Sequence, residues 1–116
     1  MTTTARTWQT YATEAQLQDA LRVAALRCGW FAYHTFDSRR SDPGFPDLVL
    51  VKNGVLLFFE LKQQKGRVSV HQQAWIDALS AVGFNVRAAI VRPDPKPGEI
   101  SVDAALALIA GGVTDD

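Results

Sequence analysis

The chain has 116 residues, and 12 lysines and arginines balance 12 aspartates and glutamates to a formal net charge of zero. That balance excludes a globally basic coat for sequence-blind nucleic-acid binding, while a local basic patch stays open at Arg39, Arg40, Lys52, Lys62, Lys65 and Arg67. A single cysteine and two histidines exclude an intramolecular disulfide and a Cys/His zinc cluster within one chain.

A hydrophobic fraction of 47% at this length fits one domain with a sizeable core. No apolar run reaches the ~18 residues of a membrane span, and no signal-peptide pattern opens the chain. The expectation is a cytoplasmic protein with no membrane contact. Residues 1–12 are Thr-rich, with Trp8 and Tyr11 the only large side chains; they read as a flexible arm ahead of a single domain over 13–116.

Thr13-Glu14-Ala15-Gln16 fits a capping box, with Thr13 as N-cap and Gln16 at N3. It opens a helix to about Arg27 or Cys28, closed by Gly29, with Leu17, Leu21, Ala24, Ala25 and Cys28 as its apolar stripe. Glu14 has two readings. A carboxylate in the first turn suits the helix dipole wherever it points, and its place one turn before Leu17 also lets it face the core side.

Trp30 to Phe36 is aromatic and β-prone, a strand that carries His34 as a partly buried side chain. A polar, Pro/Gly-rich loop over 37–46 follows, with Arg39 and Arg40 as either solvated surface or a grip on phosphates. Two apolar runs, 48–51 and 55–59, then flank Asn53-Gly54. Asn-Gly tolerates the positive φ of a type I′ turn at both central residues, so the segment predicts a two-residue hairpin.

Ser69 caps a second helix over Val70 to Val82 that ends at Gly83, with Trp75, Ala78, Leu79 and Val82 as its core stripe. Gln72 stands at N3 of that helix, where a capping box explains it without chemistry. Phe84 to Val91 predicts a strand with Arg87 exposed or facing a ligand. The turn-rich Arg92-Pro-Asp-Pro-Lys-Pro-Gly loop follows, then a helix over Val102 to Ala110 capped by Ser101. The order is α-β-β-β-α-β-α, an α/β chain with a mixed sheet and helices over it.

The hairpin carries the chemistry. With a two-residue turn, Asp47 lies opposite Glu60 as a non-hydrogen-bonded pair, with Cα atoms only about 4.5 Å apart. Like charges facing each other destabilise a sheet, so the pair makes sense around a cation. Lys62, two residues past Glu60, falls on the same face. Carboxylates at strand spacing suit a hard ion with oxygen ligands, Mg²⁺ or Mn²⁺, to which the Leu61 carbonyl can add an oxygen. Such an ion polarises a phosphodiester. Lys62 beside it either orients the attacking water or neutralises charge that builds in the transition state.

Gly44-Phe-Pro-Asp47 followed by Glu60-Leu-Lys62 resembles the PD-(D/E)XK nuclease signature. The segment Val68-Ser-Val-His-Gln72-Gln-Ala-Trp75-Ile-Asp-Ala-Leu79-Ser-Ala-Val-Gly83 is similar to the one after the catalytic strand in VRR-NUC nucleases. The leading helix with Glu14 and the strand ending in Val91-Arg92 match as well, so the resemblance covers about residues 13–92. It implies a restriction-endonuclease-like core that cuts DNA with Mg²⁺ or Mn²⁺ and no organic cofactor. On that basis Asp47 and Glu60 are metal ligands and Lys62 the catalytic lysine. Glu14 is a further acidic residue reaching the metal or its water, and Gln72 a residue lining the site. Lys65 and Arg67, with Arg39 and Arg40, are the candidate DNA contacts. Small stand-alone members, common in phages and bacteria, resemble Holliday-junction resolvases and act as homodimers. The implied function is therefore a homodimeric endonuclease for branched DNA. A flap or duplex nuclease, and a silent DNA-binding module with the same fold, are the alternatives.

Overall fold

Local signals set the elements of the computed structural model, which describes residues 8–35 and 42–112. Trp8–Tyr11 forms a single helical turn, α1. Thr13 then caps α2, Glu14–Arg27, through a complete capping box: its hydroxyl accepts from the Gln16 N–H and its own N–H donates to Gln16 Oε1. Leu17, Leu21 and Ala25 are the buried stripe of α2. Gly29 ends the helix at φ 88°, where a side chain would be strained.

Strand β1 is Phe31–His34, β2 is Leu48–Lys52 and β3 is Val55–Leu61. Asn53 and Gly54 adopt φ 49° and 78°, as a type I′ turn requires. The register runs from Lys52↔Val55 to Leu48↔Phe59, so the hairpin expectation holds and the next position outward sets Asp47 against Glu60. Helix α3, Val70–Ser80, connects β3 to β4, Val86–Val91, which pairs in parallel with β3. The sheet order is β1-β2-β3-β4, mixed as expected. With a strand on each side and helices over both faces, β3 is buried continuously from Leu57 to Leu61 rather than alternating.

The main core lies on one face. Leu48, Leu50, Leu57, Phe59 and Leu61 meet Leu17, Leu21 and Ala25 of α2 and Val102 and Ala105 of α4, Val102–Ala107. Trp30 closes this layer by donating its indole N–H to the Ile109 carbonyl at 2.8 Å. Helix α3 covers the other face over β3 and β4, with Phe45 packed edge-on against both Trp75 and Phe58 at 5.0 and 6.3 Å between ring centres.

Several boundaries differ from the sequence expectation. Phe84 is solvent-exposed and β4 starts at Val86, because Gly83 to Asn85 form a turn in which the Val86 N–H bonds back to Gly83. Helix α3 stops at Ser80, short of the expected Val82; its buried residue is Ile76, Trp75 is half-buried and Ala78 is exposed, as is Val82 beyond the helix end. The seam is rotated from the expected one because the loop residue Phe45 occupies the flank of Trp75. Helix α4 ends at Ala107 and widens into a turn through Gly112, with Gly111 at φ 118°. Phe36, Arg39 and Arg40 lie outside the described residues. Of the expected arm, the part from Trp8 onward lies on the body, where Gln9 donates to Asp103 of the α4 first turn at 3.2 Å.

Candidate active site

The carboxyl end of β3 is where the two helix-bearing faces meet at the N-termini of α2 and α3. Asp47 sits just before β2, on a buried Pro46, with its carbonyl accepting from the Thr35 N–H at 3.0 Å. Its Oδ2 accepts from the Leu61 N–H at 2.9 Å, a bond that crosses the end of the hairpin and holds the side chain towards Glu60. Glu60 is 2% exposed. Gln72 Nε2 donates to Glu60 Oε2 at 2.8 Å, and Gln72 Oε1 accepts from the Ser69 N–H at 2.9 Å. The helix cap and the contact with the site are thus two ends of one amide: the capping reading of Gln72 holds, and its site contact is with Glu60 rather than with Lys62.

Lys62 is buried, with its ammonium 4.0 Å from Glu14 Oε2. Of the two readings of Glu14, the inward-facing one is what the fold adopts. Gly44 explains how the pieces are pressed together. At φ +84° it leaves no room for a side chain, since a Cβ would lie 2.4 Å from the His71 carbonyl carbon and 2.7 Å from the Gln72 nitrogen. The Phe45-Pro46-Asp47 segment therefore rests directly on the first turn of α3.

Glu60 Oε1 is buried with no donor. Two ionised carboxylates have no proton to exchange, so this oxygen is satisfied only by a proton on the pair or by a cation. Burial first, then the charge of Asp47, pushes Glu60 up to about 9, with Lys62 opposing. Burial likewise raises Asp47, against the Leu61 N–H that lowers it. Glu14 is raised by burial, partly offset by Lys62. The cause is one cluster of carboxylates in a poorly hydrated place with too little positive charge. Among the described residues no three His, Cys, Asp or Glu side chains are grouped so as to hold a metal ion. The Asp47–Glu60 pair offers hard oxygen donors, which a divalent cation with water in its other positions can use.

A hollow of about 330 Å³ opens beside Asp47, walled by Glu14, Ala15, Gln18, His34, Thr35 and Asp47 itself. The half-buried His34 lies 3.3 Å from Gln18 Nε2 through its Nδ1. A larger hollow of about 580 Å³ lies between α1 and α2, but Asp19 is the only carboxylate on its walls. Lys65 and Arg67 are exposed on the loop after Lys62. Arg92 went unmarked as a site-supporting residue in the sequence. It is 1% exposed and bonds to that same loop. An arginine straight after the apolar run 88–91 was the available signal.

A mixed sheet with an acidic pair and a lysine at the end of its central strand defines a nuclease of the PD-(D/E)XK class. The sequence profile of the VRR-NUC domain matches residues 4–93, and the chain belongs to that family. Among solved structures it is similar to a VRR_NUC domain at 21% identity, covering 86% of this chain and 98% of the other with a TM-score of 0.59. It is also similar to a VRR_NUC domain protein at 16% identity, covering 90% and 92% with a TM-score of 0.62. A third similar structure is Hjc, a Holliday junction resolvase of the archaeal hyperthermophile Archaeoglobus fulgidus, at 23% identity, 71% and 69% coverage and a TM-score of 0.47. Comparison with curated proteins finds no match.

Proposed function

We propose that this nuclease is an Mg²⁺- or Mn²⁺-dependent endodeoxyribonuclease that acts on branched DNA, four-way junctions foremost, as a homodimer. The observation that carries the metal is the buried Glu60 Oε1, which has no donor, on a carboxyl group whose ionisation burial and Asp47 oppose. Asp47, Glu60 and the Leu61 carbonyl would hold the ion, and Glu14 would reach it or its water. Bound there, a divalent ion supplies Lewis acidity towards the scissile phosphate and lowers the pKa of water.

The chain's own groups do the rest. Gln72 occupies Glu60 Oε2 and so leaves Oε1 as the oxygen that faces a cation. Lys62, held beside Glu14, directs its N–H donors at the attacking water and at charge that grows on the phosphate oxygens. Lys65 and Arg67 contact flanking phosphates, as do Arg39 and Arg40. The branched substrate rests on the sequence resemblance. The dimer is supported by the edge strand, where Phe31 and Tyr33 are 79% and 60% exposed. A two-fold pair would bring two sites to two strands.

The test is a labelled panel of four-way junction, flap and duplex, with metal omitted and then restored. Junction cleavage that needs metal and is lost in Lys62→Ala is the expected result. Binding without metal dependence and without product would make the protein a silent DNA-binding module, and faster cutting of flap or duplex would move the substrate.

A further inference from the structure

Arg92, just past the end of β4, is itself buried and spends all three guanidinium nitrogens on partners in the chain. Nε and Nη2 form a fork on Glu99 at 2.7 and 3.0 Å. Nη1 donates to the carbonyls of Gln63, Gln64 and Gly66 at 3.3, 3.1 and 2.7 Å. Those carbonyls belong to the turn that begins directly after Lys62. A surface turn normally gives its carbonyls to water; here they are drawn inward onto one buried cation.

Everything around the turn is fastened too. The Gly66 N–H closes it onto the Gln63 carbonyl at 2.9 Å, the Lys62 N–H bonds the Val91 carbonyl at 2.9 Å, and the Arg92 N–H bonds Ile100 at 3.0 Å. The Gln64 side chain brackets Asp94, donating to its carbonyl at 3.1 Å and accepting from its N–H at 2.8 Å. Glu99 Oε1 is fixed in turn by the Lys96 N–H at 3.0 Å. The far end of the turn then lies on the site: a Cβ on Gly66 would stand 3.3 Å from Lys62 Cδ and 3.4 Å from Glu14 Oε2.

We propose that Arg92 and Glu99 are positioning residues that form a clasp: they gather the 63–66 turn against the Lys62 stem and so set where the Lys62 ammonium sits relative to Glu14 and the Asp47–Glu60 pair. The functional weight of the clasp rests on the nuclease reading of Lys62, but its geometry does not. A pair present for stability alone would lower the melting temperature and leave Lys62 as it is in the molecules that remain folded. The planar fork matters because it serves a carboxylate and a set of carbonyls at once, which an ammonium or an amide cannot do.

Two variants test this, Arg92→Gln and the milder Glu99→Gln, each examined below its melting transition. The first readout is the Cε resonance of Lys62 in protein labelled on lysine with ¹³C. Only Lys52, Lys65 and Lys96 share that spectrum, and Lys62→Met assigns the peak. In both variants the Lys62 signal is expected to move towards those of the exposed lysines. The second readout is cleavage. A fall in kcat of about tenfold to a hundredfold is expected from a displaced catalytic group, with KM for DNA and direct Mn²⁺ affinity within about twofold. If Arg92→Gln does not fold, Glu99→Gln decides alone. A folded Glu99→Gln with the wild-type Lys62 signal or an unchanged kcat overturns the clasp. A shifted Lys62 signal in a protein whose wild type cuts nothing upholds the clasp and overturns the nuclease reading instead.

Discussion

On one face of β3, Leu57, Phe59 and Leu61 are fully buried against α2 and α4 in the main core. On the other, Phe58 and Glu60 point towards α3, with Asp47 opposite Glu60 and Lys62 just beyond. Because successive side chains alternate, one seven-residue strand supplies apolar cohesion and a charged site without mixing them. The charged face is electrostatically unfavourable in the metal-free protein, as the raised carboxyl groups show. The apolar face offsets that cost. Substitutions on the two faces should therefore separate activity from stability.

The sharpest separation is expected from Lys62→Met, which should reduce junction cleavage by roughly 10³-fold or more. Its melting temperature should drop only slightly: the desolvation cost of the ammonium is removed, and Glu14, the partner it leaves, is half-exposed and open to water. A large loss of stability in this variant would break the comparison. Leu57→Ala should do the reverse, costing about 2–5 kcal/mol in denaturant titrations while the folded fraction keeps its specific activity. Gly44→Ala sits at the junction of the two effects. It must move the first turn of α3 and with it Gln72, so a loss of about 1–3 kcal/mol should come with weaker cleavage; wild-type values for both would refute the contact.

A pH series sharpens the charged face further. Glu60 is raised from 4.5 to about 9 in the fold, so it keeps its proton while the unfolded chain has lost its own. The stability this provides is complete below the unfolded value and declines as pH rises towards the folded one. Melting temperatures in chelator should therefore fall between about pH 5 and pH 9, and added Mg²⁺ should flatten the slope; a Glu60→Gln protein should show a smaller slope, left by the raised Asp47 and Glu14. The smallest effect is expected from Tyr33→Ser, within about 0.5 kcal/mol for the fold. A shift towards monomer by light scattering would support the edge strand as the dimer surface.

Much of the site was legible because its determinants are local. Asn53-Gly54 dictates the hairpin register whatever the rest of the chain does, and the register sets Asp47 against Glu60. Thr13 and Ser69 mark helix starts through residues three positions on. What could not be read depends on parts distant in the chain. Nothing near Gln72 says that its amide nitrogen meets Glu60 while its oxygen caps α3. The rotated seam of α3 depends on Phe45, thirty residues before Trp75 in the numbering, and periodicity alone favoured Ala78 and Val82. Phe84 looked like strand because it is aromatic, but parallel pairing with β3 begins only at Leu56↔Val86.

By itself, then, the sequence determined the elements, their order, the facing carboxylates and the lysine beside them, since capping, turn chemistry and two-residue alternation act over a few residues. Only the tertiary structure decided that Glu14 turns inward to Lys62, that Gln72 holds Glu60 from across the crossover, and that Arg92 and Glu99 fasten the turn behind the lysine. Those contacts join segments that meet only when the sheet and helices have packed. They also satisfy buried charge, which no local preference can arrange.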